Sequence, residues 1–135
     1  MADKKKKLLI VDDEPDMLAV MVAILRNGGY DVIQASCGDK AISLAMSEHP
    51  DLILLDIKMP GMDGVKTTDV LKNNPETKNI PIAYLTNLVE EDEVLDGHVL
   101  GSKIGNLYFI PKTYKAEKII EMVQQNLDSS EKKTG

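Results

Sequence analysis

A doubly wound α/β domain, built on a five-stranded parallel sheet with helices on both faces, is the fold class this sequence predicts. Three observations predict it. Five apolar runs of strand length alternate with segments of helical period, and no internal repeat explains the alternation. The runs are apolar throughout rather than at every second position, which is the pattern of strands covered on both faces. The chain of 135 residues is long enough to bury one core and too short for two.

The strands are expected at Leu8 to Val11, Val32 to Ala35, Leu52 to Leu55, Ile80 to Leu85 and Leu107 to Ile110. Lys4 to Lys7 precede the first of them, and residues 1–6 read as a solvated, disordered basic leader to a domain spanning 7–128. In the first helix Met17, Val20, Met21, Ile24 and Leu25 form a stripe at helical spacing, with Pro15 at the entrance and Gly28-Gly29 at the exit. The second follows Ser36, whose hydroxyl with Asp39 resembles a capping box; it turns Ala41, Leu44 and Ala45 inward and ends before Pro50. Asp63 is placed to cap a third helix that contains Val65 and Leu71 and closes at Asn73-Asn74-Pro75. A fourth is expected between Leu88 and Leu100, and a fifth has Ala116, Ile119, Ile120, Val123 and Leu127 as its buried stripe. Residues 129–135 should fray. Right-handed crossovers between such strands give a flavodoxin-like winding, in which ligands bind beyond the carboxyl ends of the strands.

Hydrophobic residues at 43% and charged residues at 28% are ordinary for a folded domain and give no function by themselves. The net charge of −6 repels phosphate backbones and anionic lipid, so neither nucleic acid nor a membrane is expected as partner. Only Leu8 to Val11 separate the lysine run from Asp12, Asp13 and Glu14, which leaves no room for a signal-peptide core, and a cytoplasmic location is expected. The single cysteine, Cys37, excludes an internal disulfide and a multi-cysteine metal site; it is expected as a reduced, packed thiol.

The chemistry is expected at the strand ends. There the sequence carries Asp12 and Asp13 after the first strand, Asp56 after the third, Thr86 after the fourth and Lys112 just beyond the fifth. Carboxylates gathered in one cleft repel one another unless a cation joins them, and carboxylate oxygens without His or Cys suit Mg²⁺, or Mn²⁺, rather than zinc. A carboxylate is also a nucleophile toward a phosphoryl group, while a lysine and a hydroxyl hold that group's oxygens. Asp56 is the candidate nucleophile. Singly, each residue has an ordinary explanation: helix N-terminal acids, a strand-end threonine, a solvated lysine. Together they do not, because independent surface residues have no reason to share one end of four strands.

Four stretches, "VDDEP" (Val11 to Pro15), "LLDIKMPGMDG" (Leu54 to Gly64), "IPIAYLT" (Ile80 to Thr86) and "FIPK" (Phe109 to Lys112), resemble in order and separation the receiver domains of two-component response regulators. The resemblance covers Lys7 to Leu127 and implies a role for each residue. Asp13 and Asp56 would supply carboxylates to Mg²⁺, Asp12 would act through a metal-bound water, and the main-chain carbonyl of Lys58 would complete the ligands. Asp56 would accept a phosphoryl group from a histidine kinase, a histidine phosphotransfer protein or a small acyl phosphate. Lys112 would pair with the phosphoryl oxygens, and Thr86 and Phe109 would switch position, altering the face of helix four, strand five and helix five toward a downstream protein target. Because few residues follow Leu127, the resemblance is to a stand-alone, chemotaxis-type receiver, monomeric or weakly dimeric, with no enzymatic activity beyond its own phosphorylation and dephosphorylation.

The chain departs from the family pattern in places. Pro111 precedes Lys112 where proline usually follows the lysine, and Asn87 follows Thr86 where a small residue is common. The segment from Thr86 to Lys112 is also longer than usual, so the fourth helix or the loop through Gly101 and Gly105 should look unusual. Glu90 to Glu93 read as favourable dipole placement, and His49 and His98 as helix-end or surface residues. Three other classes compete. A phosphatase of the haloacid dehalogenase type needs a second acid two residues after its nucleophile, where this chain has Lys58. A flavodoxin needs a neutral, hydroxyl-rich phosphate loop where this chain has "DDEP". A receiver-like scaffold that is never phosphorylated would have no use for the five site residues, but the altered Pro111-Lys112 order keeps it as an alternative.

Overall fold

The computed structural model describes residues 5–56, 64–86, 103–104, 107–111 and 115–134. The elements run β1 (Lys7–Val11), α1 (Pro15–Asn27), β2 (Asp31–Ala35), α2 (Gly38–Glu48), β3 (Leu52–Asp56), α3 (Gly64–Lys72), β4 (Ile82–Thr86), β5 (Lys103–Ile104), β6 (Leu107–Pro111) and the C-terminal helix, α4 (Ala116–Thr134). The sheet order is β2-β1-β3-β4-β6-β5. The first five of these strands are parallel, as expected for a doubly wound sheet. The two-residue β5 was not expected: it pairs antiparallel with β6, Lys103 opposite Tyr108 and Ile104 opposite Leu107, and so closes that edge of the sheet. It falls in the segment whose extra length the sequence flagged. The helix expected between Leu88 and Leu100, the Asp63 cap and leader residues 1–4 lie outside the described residues.

Alternate residues of the strands feed two cores. Leu8, Ile10, Leu52, Leu54, Leu85 and Ile110 face α1 and α4, while Leu9, Val11, Ile53, Leu55, Ile82 and Tyr84 face α2 and α3. All of these are buried, which is why the strands read as unbroken apolar runs. Asn126 is buried within the α4 stripe, where its amide donates to the Met122 carbonyl at 2.9 Å. Helical backbone in α4 continues through Thr134, over residues expected to fray.

Three local expectations need correction. In α1 the buried residues are Leu18, Met21, Val22 and Leu25, with Met17 and Ile24 partly buried; Val20 is 52% exposed. The segment from Met17 to Leu25 is apolar at every position, so two stripes one residue apart both have helical spacing, and packing against the sheet chose between them. The N-cap of α2 is Cys37 with no side-chain cap bond, so Ser36 lies before the cap and forms no capping box with Asp39. Cys37 itself is exposed rather than packed, because the cap position faces out from the helix start.

The exits of the helices follow their sequence signals. At the end of α1, Gly29 donates to the Arg26 carbonyl at 3.0 Å and Tyr30 to the Leu25 carbonyl at 3.2 Å. This bond pair requires left-handed backbone between helix and strand, which Gly29 supplies at φ +96. His49 ends α2 in the same region at φ 49. After α3, the Thr77 hydroxyl donates to the Leu71 carbonyl at 2.6 Å, and the Lys72 ammonium reaches the carbonyls of Lys78 and Ile80. Among the described residues no helix is long and apolar enough to cross a membrane.

Candidate functional site

Strand register assembles the site. Val11 of β1 lies opposite Leu55 of β3, so the next residue along each strand, Asp12 just past β1 and Asp56 at the end of β3, comes at the same level. Asp56 is opposite Leu85 of β4, and Thr86 is opposite Pro111 of β6. Residues 44 positions apart in sequence, Asp12 and Asp56, become neighbours through this pairing alone.

The end of β1 is held in line by the Asp12 main-chain N–H, which donates to the Ala35 carbonyl at 3.2 Å. The Asp12 Oδ1 accepts the Glu14 N–H at 3.0 Å, a side-chain turn that leads the chain into α1. Glu14 is the N-cap, and Pro15 opens the helix. The ordinary helix-start role considered for Asp12 is therefore real, and it coexists with the cluster.

One carboxylate oxygen from each of Asp12, Asp13 and Asp56 lies within 4.8 Å of the other two. Asp12 and Asp56 are buried and Asp13 is half-buried. Carboxylates at this spacing and burial repel and are poorly solvated, so the arrangement is costly without a cation. The donor set is carboxylate oxygen throughout, which fits a hard cation of the Mg²⁺ kind, one that keeps several waters and accepts phosphate oxygens.

Of the residues singled out in the sequence, the structure brings Asp12, Asp13 and Asp56 together. Thr86 and Phe109 are described at the main chain, Thr86 as the last residue of β4 and Phe109 in β6 opposite Tyr84. Lys58, Asn87, Glu90 to Glu93, His98 and Lys112 lie outside the described residues. Sequence reasoning overlooked Tyr84 and Thr68, whose hydroxyl oxygens meet at 2.6 Å under α3. Their only sequence signal is a tyrosine in an otherwise aliphatic strand, which does not reveal its partner.

The family model of the response regulator receiver domain matches residues 8–124. The chain belongs to that family. The receiver is 32% identical to the protein PilH of Pseudomonas aeruginosa over 117 residues, covering 87% of this chain and 93% of PilH. It is 36% identical over 126 residues to the alkaline phosphatase synthesis transcriptional regulatory protein PhoP of Bacillus subtilis, covering 93% of this chain and 50% of PhoP. The receiver thus spans about half the length of that curated relative. Among solved structures it matches the receiver domain of the sensor histidine kinase PA1611 from Pseudomonas aeruginosa with TM-score 0.76 and 25% identity, over 93% of this chain and 99% of the other. That structure is described with a magnesium ion coordinated in the active site cleft. As a receiver, the chain is a domain of two-component signalling systems.

Proposed function

We propose that this receiver is a phosphorylatable switch in which Asp56 accepts a phosphoryl group from the phosphohistidine of a histidine kinase or a histidine phosphotransfer protein. The observation that carries the reading is the meeting of Asp12, Asp13 and Asp56 at the carboxyl end of β1 and β3, where a doubly wound sheet binds its ligand. The magnesium ion described in the PA1611 receiver favours Mg²⁺ over Mn²⁺.

In this reading Asp13 and Asp56 give carboxylate oxygens to Mg²⁺, Asp12 acts through water, and the Lys58 carbonyl adds a neutral oxygen. When bound, Mg²⁺ offsets the repulsion among the acids and draws charge from the phosphoryl oxygens. A carboxylate oxygen of Asp56 attacks phosphorus; the P–N bond of the phosphohistidine breaks and its electron pair stays on the imidazole nitrogen. The product is an aspartyl phosphate. Lys112 pairs with its oxygens and the Thr86 hydroxyl moves to donate to one of them. Phe109 shifts in step, biasing the face of β6, α4 and the 88–100 segment toward a downstream protein target, a population shift driven by contacts that exist only with the phosphoryl group. The switch acts in the cytoplasm, as a monomer or weak dimer, and turns over no substrate besides its own phosphoryl group.

Intact-mass measurement after incubation with acetyl phosphate and Mg²⁺ tests the reading. Wild type is expected to gain one phosphoryl group and Asp56→Asn none. An adduct in neither protein would leave an interaction scaffold; sustained phosphate release over many turnovers would make the protein an enzyme.

A further inference from the structure

The lysine run ahead of the first strand leads into a cleft. At the amino end of the sheet Lys7 of β1 lies opposite Asp31 of β2. There a cleft of about 450 Å³ is lined by Lys5, Lys7, Arg26 and Asp31, with Val32 and Ile33 in its wall. Lys5 and Lys7 come from the chain entering β1, and Arg26 from the last turn of α1. Three cations thus share one small space in a chain whose net charge is −6, and the one carboxylate among them, Asp31, offsets only part of their charge.

Two of the three cations are already held in place. Arg26 Nη2 donates to the Val32 carbonyl at 3.3 Å, and the Lys7 ammonium pairs with Glu48 at 2.9 Å, so part of the ordering a ligand would impose is done in its absence. A guanidinium has five N–H donors and an ammonium three, so one such bond from each leaves the rest to give. Lys5 is exposed and adds a third set. The volume is that of a small-molecule site. The Arg26 bond also argues against a peptide strand as the occupant. β2 is the outer strand of the sheet. The Asp31 N–H donates inward to the Lys6 carbonyl at 3.0 Å, so the groups of Val32, one residue on, face outward. A strand added at that edge would need the Val32 carbonyl, which Arg26 covers. A phosphate chain needs no strand edge: it offers several anionic oxygens over a short span, which suits forked and flexible donors gathered in one cleft.

We propose that the cleft between Lys5, Lys7 and Arg26 is a binding site for an oligophosphate, the chain of two or three phosphoryl groups that a nucleotide carries or that occurs free. The site lies at the opposite end of β1 from Asp12 and Asp13. It goes beyond the proposed function, and neither depends on the other.

Calorimetric titration with tripolyphosphate and with ATP, in buffer free of divalent cations, tests it, and amide chemical shifts followed in the same titrations locate the site. Wild type is expected to bind tripolyphosphate with shifts centred on Lys7, Arg26 and Asp31 to Ile33, and to bind it less well as salt rises. Equal affinity for ATP places recognition in the phosphates alone; tighter binding of ATP adds the nucleoside against the apolar wall. Lys5→Glu and Arg26→Gln should each weaken binding about three- to tenfold, and Asp31→Asn should tighten it about two- to threefold. Thermal unfolding checks that each variant folds. Should Arg26→Gln fail to fold, the exposed pair Lys5→Glu and Asp31→Asn decides alone, because the two must move the affinity in opposite directions. No uptake by wild type, shifts centred elsewhere, unchanged affinity in Lys5→Glu, or tighter binding of a hexaglutamate peptide than of tripolyphosphate overturns the proposal.

Discussion

At the amino end of β1 the Lys7 main-chain N–H donates to Asp51 Oδ2 at 2.8 Å and its ammonium to Glu48 at 2.9 Å, while the Asp51 N–H returns a bond to the Lys7 carbonyl at 2.7 Å. At the other end of the same strand Asp12 and Asp13 meet Asp56. Acids therefore occur at both ends of β1 and β3, but at one they meet donors of positive character and at the other they meet each other. The amino end carries further devices of the first kind. Arg26 donates to the Val32 carbonyl at 3.3 Å, and the Tyr30 hydroxyl donates to Gln124 at 2.7 Å, whose amide reaches Asp128 at 3.0 Å. These bonds tie α1, β2 and α4 together and are complete within the chain. The carboxyl end instead gathers three carboxylate oxygens within 4.8 Å of one another, and this clustering, rather than the acids as such, distinguishes the candidate functional end of the sheet.

The largest expected effect exposes that difference directly. With Mg²⁺ at about one hundred times its Kd, wild type should gain about 2.7 kcal/mol of unfolding free energy, or about 8–10 °C in Tm for a domain of this size. Asp13→Asn and Asp56→Asn should lose most of the gain, while Lys7→Met should keep all of it; differential scanning calorimetry with and without MgCl₂ reads all four. A Lys7→Met protein that lost the Mg²⁺ response would erase the distinction between the two ends.

Next in size is Tyr30. Burial, and then the negative charge of Asp128, hold its hydroxyl above the usual tyrosine value. Ionisation is thus harder in the folded than in the unfolded chain, so the stability linked to this proton is fully present below about pH 10 and is lost as pH rises through the higher folded value. Tyr30→Phe should cost about 1 kcal/mol at neutral pH, through the lost bond to Gln124, and should reduce the alkaline fall in stability. Urea unfolding at neutral pH and above pH 10 would show it, and an equal alkaline fall in both proteins would remove Tyr30 from the account. The smallest effect belongs to Lys7→Met itself. Its ion pair with Glu48 is about one-third exposed on the lysine side and 42% on the glutamate side, so the loss should stay below about 1 kcal/mol and shrink in high salt.

Much of this architecture was readable from residue order because it depends on local chemistry. The five parallel strands were legible as runs apolar on both faces, and the cluster as Asp12, Asp13 and Asp56 at strand ends. The exits of α1 and α3 were visible in Gly28-Gly29 and Asn73-Asn74-Pro75, since a backbone that must turn left-handed or stop a helix admits few residue types. What stayed hidden was decided by partners distant in sequence. The α1 stripe turned by one position because a helix apolar all round does not say which side meets the sheet; the sheet decides, burying Leu18 and Val22 and exposing Val20. Cys37 became the cap of α2 in place of Ser36 because the crossover from β2 sets where the helix can begin. The edge strand β5 formed through pairing with β6, and two residues alone carry no periodicity to read. The hydroxyl contact between Tyr84 and Thr68 needs α3 laid over β4 before its partners are even near. Amino-acid order determined by itself which residues are apolar, which turn and which are charged; the tertiary structure alone decided which of them meet, because a contact is a property of two segments and neither contains it.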